Sequence, residues 1–441
     1  MPKALTEADA LVRFPDHDVL LPPLAAPSAR RGSTRRRRCG TVVHRPGLRR
    51  GRRQHHARTA RVRSASASRH AGRLVTAARL VARCVRGLEP ALGAEIPRSG
   101  SATIDWVGHR EVGFRAEPGT DDEGRLRTAD DVFLLALRQD DAGPHKSDLA
   151  ALADLARAVD LAGLARERRA RGGPAGFGGI EISASFLGRR TYNRYDIEDA
   201  VGRVPAERAG VPYHARRQGE PPPPGHSGWR LTLDGTHATL LLRLGRRPAH
   251  RRAYKNATVP GTLHPPVAAA MAQAAELRPG LRVLDPCCGA GTLLIEAHHT
   301  VPGTTLLGFD LDRDARRAAR RNAGPLPVTV QRGDAGALPL PDRSVDRVLC
   351  NPPWGDQVDA GGRLAGHPER WWRELARVLT DEGRAVVLLP EARGLGQALA
   401  LGLAPVHVQQ LSLFGSRPLL VRLERPRTRR RSPGRREAEA G

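Results

Sequence analysis

The chain has 441 residues, enough for two or three domains with their own cores. Hydrophobic residues make up 40%, and no apolar run reaches the 18 residues of a membrane helix; the apolar stretch near the start, VLLPPLAAP, is short, Pro-broken and a poor signal peptide. The net charge of +26 sits mostly at the ends, with +14 in residues 1–75, +5 in residues 425–441 and only +7 between.

Residues 1–75 show neither helical nor strand periodicity. Stretches such as STRRRRCG cannot bury a core, so this region is expected to be a disordered Arg-rich tail, or an extension upstream of the true start. Order is expected from about residue 79. RLVARCVRGLEPALGAEI reads as a strand, a Gly turn and a short helix, and ATIDWVGHREVGFRA as a hairpin turning at Gly108. Residues 148–170 have helical period. GIEISASFLG is a strand, and DIEDAVGRVPAERAG a helix capped by Asp196. WRLTLDGTHATLLLRLG is a strand-turn-strand unit with Asp234-Gly235 at its turn. This mixture predicts an α+β module.

From about residue 265 strands and helices alternate regularly. LRVLDP, TLLGFDLD, VTVQRGD, VDRVLCNPP and GRAVVLLP read as strands, with helices between them, and two last strands flank Gly415-Ser416. Such alternation predicts an α/β, doubly wound, Rossmann-like parallel sheet, with its ligand beyond the carboxyl ends of the strands. The expected division is a tail over 1–75, α+β segments over 76–150 and 151–250, a catalytic domain over 251–425 and a basic tail over 426–441. Five cysteines (39, 84, 287, 288 and 350), odd in number and without a CxxC pair, argue against a disulfide framework or a zinc site and fit a reducing cytoplasm. No metal, no membrane and a monomer are the expectation.

VLDPCCGAGTLLIEA is a strand, a glycine-rich turn and a helix. Gly289 and Gly291 let the backbone approach a ligand, and Thr292 opens a helix with free amide groups. A dinucleotide would compete for such a loop, but Leu294 stands where a third glycine is required. Asp285 at the strand end would also repel a pyrophosphate and suits an amine. Asp310, 21 residues after Gly289, can accept from both ribose hydroxyls, and Asp334, followed by Ala335, from an adenine amine. An amine, a ribose and an adenine together describe S-adenosylmethionine.

One strand further, VLCNPPWG ends in Asn351, Pro352, Pro353 and Trp354. An exocyclic purine amine is planar and weakly nucleophilic. The Asn351 oxygen and the Pro352 carbonyl can accept its two hydrogens and aim its lone pair at a methyl donor. The prolines fix these acceptors in place, and Trp354 can stack on the base. Arg189, Arg190 and Arg194, interleaved with Tyr192 and Tyr195, suit RNA phosphates and bases, and Arg246, Arg247, Arg251 and Arg252 form a second basic cluster.

In the order LDPCCGAGTLLIEA, GFDLD, RGDA and NPPWG, these motifs resemble the class I methyltransferases that act on nitrogen. The doubled cysteine with GTLLIEA is similar to the subgroup carrying an RNA-binding THUMP domain. RCVRGLEPALGAEI, ISASFLGRRTYNRYDIEDAVG and LLLRLGRRPAHRRAYK resemble its ferredoxin-like opening, its THUMP module and its exit into the catalytic domain. The resemblance covers residues 79–424. It implies S-adenosylmethionine-dependent methylation of the guanine exocyclic amine in tRNA. The same chemistry on ribosomal RNA or a glutamine side chain, and a catalytically silent RNA-binding module, are the alternatives. Trp354 departs from the commoner Tyr or Phe.

Overall fold

The computed structural model describes residues 78–100, 102–117, 126–353 and 359–426. The 1–75 tail, Trp354 and nearly all of the 426–441 tail lie outside the described residues. All described residues belong to one unit, Gly72–Gly441.

The first half holds β1 (Ala78–Arg83), α1 (Glu89–Glu95), β2 (Ala102–Gly108), β3 (Glu111–Ala116), β4 (Asp131–Asp140), α2 (Leu149–Arg157), α3 (Leu161–Ala170), β5 (Ile180–Phe186), α4 (Arg194–Ala209), β6 (Tyr213–His214), β7 (Ser227–Leu233) and β8 (His237–Arg243). Its strands join in one eight-stranded sheet, ordered β2-β3-β1-β4-β8-β7-β5-β6. Sequence reading does not single out β4, yet it lies at the centre, antiparallel to both β1 and β8. It therefore ties residues 78–116 to residues 180–243 through backbone hydrogen bonds. Alternate residues of these strands, such as Leu80 and Ala82, Val132 and Leu134, and Leu240 and Leu242, are buried in one core with α2 and α4.

Two local expectations are corrected. The helical run at 148–170 is two helices, because Asp160 stops the chain and caps α3 by accepting from Gly163 N (2.8 Å). The cap of α4 is Asn193 rather than Asp196. The Asn193 side chain accepts from the amides of Tyr195 and Asp196, and the Asp196 carboxylate accepts from Asn193 N at 3.1 Å, a reciprocal box.

The second half holds α5 (Pro265–Ala274), β9 (Arg282–Asp285), α6 (Thr292–Thr300), β10 (Thr305–Asp310), α7 (Arg313–Ala323), β11 (Val328–Arg332), β12 (Val345–Cys350), α8 (Glu369–Val378), β13 (Leu379–Leu389), α9 (Leu395–Ala400), β14 (Ala404–Gln410) and β15 (Leu419–Glu424). The sheet order is β11-β10-β9-β12-β13-β15-β14. The five strands from β11 to β13 pair in parallel, as expected. β15 runs antiparallel to both its neighbours, which corrects the expectation of a wholly parallel sheet. The link from β14 to β15 is a hairpin, too short for the crossover that parallel pairing needs. The chain direction across the sheet reverses between β9 and β12, so a crevice opens beyond their carboxyl ends.

Candidate active site

The carboxyl ends of β9, β10 and β12 meet at that crevice, together with the segments that follow β11 and β13. β9 delivers Asp285, β10 delivers Asp310, and β12 delivers Asn351 and Pro352. The resulting cavity has a volume of about 780 Å³. Of the predicted residues, Gly289, Asp310, Asp334, Ala335, Asn351 and Pro352 line it, while Asp285, Thr292, Gly289 and Asn351 line a small chamber of about 40 Å³. Gly291 lines neither space.

The glycine turn has the conformation its sequence implies. Gly289 and Gly291 have φ of +50° and +79°, where a side chain would be strained, and Gly291 is the N-cap of α6. The turn is fastened to β10 by Gly289 N, which donates to Asp310 Oδ2 at 2.9 Å. Asp312 N donates to Asp310 Oδ1 at the same distance. Each oxygen of Asp310 keeps a further lone pair directed away from its backbone bond. Asp334 lies two residues past β11 and is held similarly, by Gly336 N (2.8 Å) and Arg363 N (2.9 Å).

Asp285 is 1% exposed and accepts from Cys287 N at 3.1 Å. Burial pushes its carboxyl up to about 8, the charge of Asp310 adds to the rise, and the Cys287 bond opposes it. Behind it the Thr292 hydroxyl is buried without a hydrogen-bond partner among the described residues. A buried carboxyl, an orphaned hydroxyl and the amides of a helix start suit the ammonium and carboxylate of an α-amino acid. The donor set thus fits the amino-acid end of S-adenosylmethionine, and Asp310 fits its ribose. Asn351 directs Nδ2 back to Gly261 O in a long 3.5 Å contact, which leaves Oδ1 for a ligand.

Arg189, Arg190 and Arg194 do not form one surface. Arg189 and Arg194 are exposed, and the Arg194 guanidinium covers the Tyr195 ring at 4.5 Å. Arg190 is a correction. Its side chain is 4% exposed, paired with Asp141 and bonded to Gly143 O (2.8 Å) and Tyr192 Oη (2.6 Å). Arg252 in the second basic cluster is likewise buried, held by Glu296 at 3.0 Å. Sequence reading missed His264 and Phe414 at the cavity rim and the Val259–Leu263 segment along its wall. Those residues carry no local signal, because only the long-range fold brings them to the strand ends. Among the described residues no group of three metal-ligating side chains forms, and no helix is long and apolar enough to cross a membrane.

The sheet order, the reversal beside β9 and the Asn-Pro-Pro turn define a class I methyltransferase. Residues 252–412 match the family described as RMKL-like, methyltransferase domain. The tRNA (guanine(6)-N2)-methyltransferase of Thermus thermophilus is 32% identical over 257 residues, which are 57% of this chain and 73% of that protein. The crystal structure of TrmN from Thermus thermophilus superposes with a TM-score of 0.61 at 26% identity, covering 79% of this chain and 99% of that one. The U6 snRNA (guanine-N(2))-methyltransferase THUMPD2 of Bos taurus is 34% identical over 166 residues, 36% of this chain and about a third (32%) of that protein. The chain belongs to the RNA guanine-N2 methyltransferase-like family.

Proposed function

We propose that this protein transfers a methyl group from S-adenosylmethionine to the exocyclic N2 of a guanine in structured RNA, with tRNA as the substrate class. The observation that carries the reading is the placing of Asn351 and Pro352 on the same cavity as Asp310 and Gly289. Acceptor groups for an amine and holding groups for a nucleoside cofactor thereby share one space. The Thermus thermophilus relative, named for guanine N2 of tRNA, supports the substrate.

The cofactor supplies an electrophilic methyl on a sulfonium. Asp285, Thr292 and the start of α6 hold its amino-acid end. Asp310 takes the ribose hydroxyls, and Asp334 with Ala335 faces the adenine. Asn351 Oδ1 and the Pro352 carbonyl accept the two amine hydrogens of guanine. These contacts strengthen as the nitrogen rehybridises, so they act chiefly on the transition state. As the carbon–nitrogen bond forms, the methyl–sulfur bond would break and leave a neutral thioether; the amine proton, made acidic, would pass from the Asn351 and Pro352 acceptors to water, so no strong base is required. A paired guanine has to leave its helix to reach this depth.

The first half is assigned as a ferredoxin-like and THUMP-like RNA-binding module, in which Arg189 and Arg194 contact phosphate. The test is nucleoside mass spectrometry of separate tRNA and ribosomal RNA pools after incubation with the protein and S-adenosylmethionine. N2-methylguanosine in the tRNA pool is expected. Its appearance only in ribosomal RNA would move the substrate, and transfer to neither pool would overturn the reading.

A further inference from the structure

Phe414 has no place in the mechanism just described, and its setting is costly. It lies at the tip of the β14–β15 hairpin, closed by Leu413 N to Ser416 O (3.0 Å) and Ser416 N to Leu413 O (2.9 Å). The two residues between, Phe414 and Gly415, have φ of +49° and +86°. A two-residue turn with both central residues left-handed is the type I′ turn, and its favoured sequence is Asn-Gly. Gly415 satisfies that preference. Phe414 violates it, since a bulky residue at positive φ is strained. The ring gains little in return from burial, for the residue is 81% exposed.

The ring stands at a defined place. Phe414 lines the cavity that Asn351, Pro352 and Pro353 also line. Its one aromatic neighbour among the described residues is His264, with the two ring planes nearly perpendicular at 81° and the centroids 5.6 Å apart. His264 Nε2 donates to Asp130 Oδ1 at 2.7 Å, which fixes the imidazole against the first half of the chain. One side of the Phe414 ring thus meets the fixed imidazole, and the rest of the ring stays open at the cavity mouth.

We infer that Phe414 stacks on the extruded acceptor base and so selects a flat, unpaired base for the Asn-Pro-Pro turn. The inference deepens the methyltransfer reading and rests on it. A strained, exposed ring at the rim of a base-binding cavity is an energetic liability until a flat partner covers it. Base–aromatic stacking recovers that cost in the complex and is tolerant of sequence, as a platform for an everted nucleotide requires. An RNA base is favoured over a protein partner because the ring borders the space that ends at Asn351.

The experiment uses the full chain, tRNA from cells lacking this enzyme and S-adenosylmethionine labelled in its methyl group. Phe414→Asn restores the favoured turn sequence, so its melting temperature should equal or exceed that of the wild type. Cofactor affinity should not change. The single-turnover rate at subsaturating tRNA should fall by about 10-fold or more, on the scale of one lost base stack. Phe414→Tyr should stay within about twofold, and Phe414→Leu, apolar but not flat, should resemble the Asn variant. Wild-type rates in the Asn variant would overturn the role of Phe414. So would a fall in melting temperature that accounts for the lost rate. If the wild-type chain makes no N2-methylguanosine, the methyltransfer reading fails first and this inference falls with it.

Discussion

Glu296, fully buried in α6, accepts the Arg252 guanidinium on one carboxylate oxygen at 3.0 Å. Its other oxygen accepts Arg127 at 2.6 Å, and Tyr254 Oη adds a third bond at 2.8 Å. Arg127 precedes β4 in the first half, Arg252 and Tyr254 belong to the connection, and α6 carries the glycine turn at its start. One carboxylate thus ties the first half of the chain to the helix that carries the glycine turn.

Glu296→Ala should therefore destabilise the protein strongly. It leaves two guanidinium groups in a largely dry junction without their counter-charge. Breaking a buried pair in this way costs about 3–5 kcal/mol. Denaturant melts of the full chain should show a lower midpoint, and the transition should broaden or split if the two halves lose their coupling. An unchanged midpoint would mean that the junction is held by apolar contacts alone.

On the proposed reading, in which Asp285 faces the cofactor ammonium, the state of Asp285 should make cofactor binding pH-dependent. Its carboxyl is pushed up to about 8 by burial, from an ordinary value near 4. Between those pH values the folded chain holds a proton that the unfolded chain has lost. Asp285 therefore favours the unfolded state increasingly as pH rises toward 8. The cofactor ammonium requires the ionised form, so binding at pH 6.5 should expel about one proton. Calorimetry in buffers of different ionisation enthalpy reads this directly. In Asp285→Asn the proton release should vanish and affinity should fall at least about 10-fold, while the free protein should be no less stable at pH 8.

Arg190 and Arg194 should separate stability from RNA binding. Arg190→Ala strips Asp141, 7% exposed, of its partner and removes the bond to Tyr192. Its cost should appear in the melting temperature and amount to about 2–4 kcal/mol. Arg194→Ala removes an exposed charge stacked on Tyr195 and should leave the melting temperature alone. Its tRNA affinity should fall, and the salt dependence of binding should shrink by about one phosphate contact. Equal RNA affinity in the Arg194 variant would remove it from the interface.

The difference between those two arginines shows where the sequence is legible. The placing of Gly289, Asp310 and Asn351 around one cavity could be read because each position depends on its own strand end and turn, within a few residues of chain. The parallel run from β11 to β13 was legible for the same reason, since alternation of strand and helix is local. Arg190 reads as an RNA contact because tyrosines flank it. What decides its role is Asp141, 49 residues away. Arg127 and Glu296 are separated by 169 residues, and neither carries any sign of the other. β4 escaped because its apolar run, VFLLAL, has no clean alternation; a central strand buried on both faces is not required to alternate. The antiparallel β15 depends on the length of a connection rather than on strand composition.

Asn351 is where the proposed chemistry meets its sharpest test. Its amide nitrogen is turned toward Gly261 O, and the oxygen is left to the cavity. Oδ1 can only accept, so it favours an amine whose hydrogens are growing more acidic over one whose charge has not begun to shift. Asn351→Ala should lower the single-turnover rate by roughly 10²–10³, as loss of one preorganised polar contact to a transition state does elsewhere. Affinity for tRNA and for S-adenosylmethionine should change by less than about threefold, because the contact is weak in the ground state. Asn351→Asp keeps an acceptor at the same place and adds a full negative charge beside Asp285 and Asp310. It should retain more activity than the alanine variant, and its rate should rise with pH as the new carboxyl ionises. A rate near wild type for Asn351→Ala would mean that the turn is architectural and that the amine is held by other groups. A large loss of tRNA affinity with little loss of rate at saturation would place Asn351 in substrate docking rather than in methyl transfer.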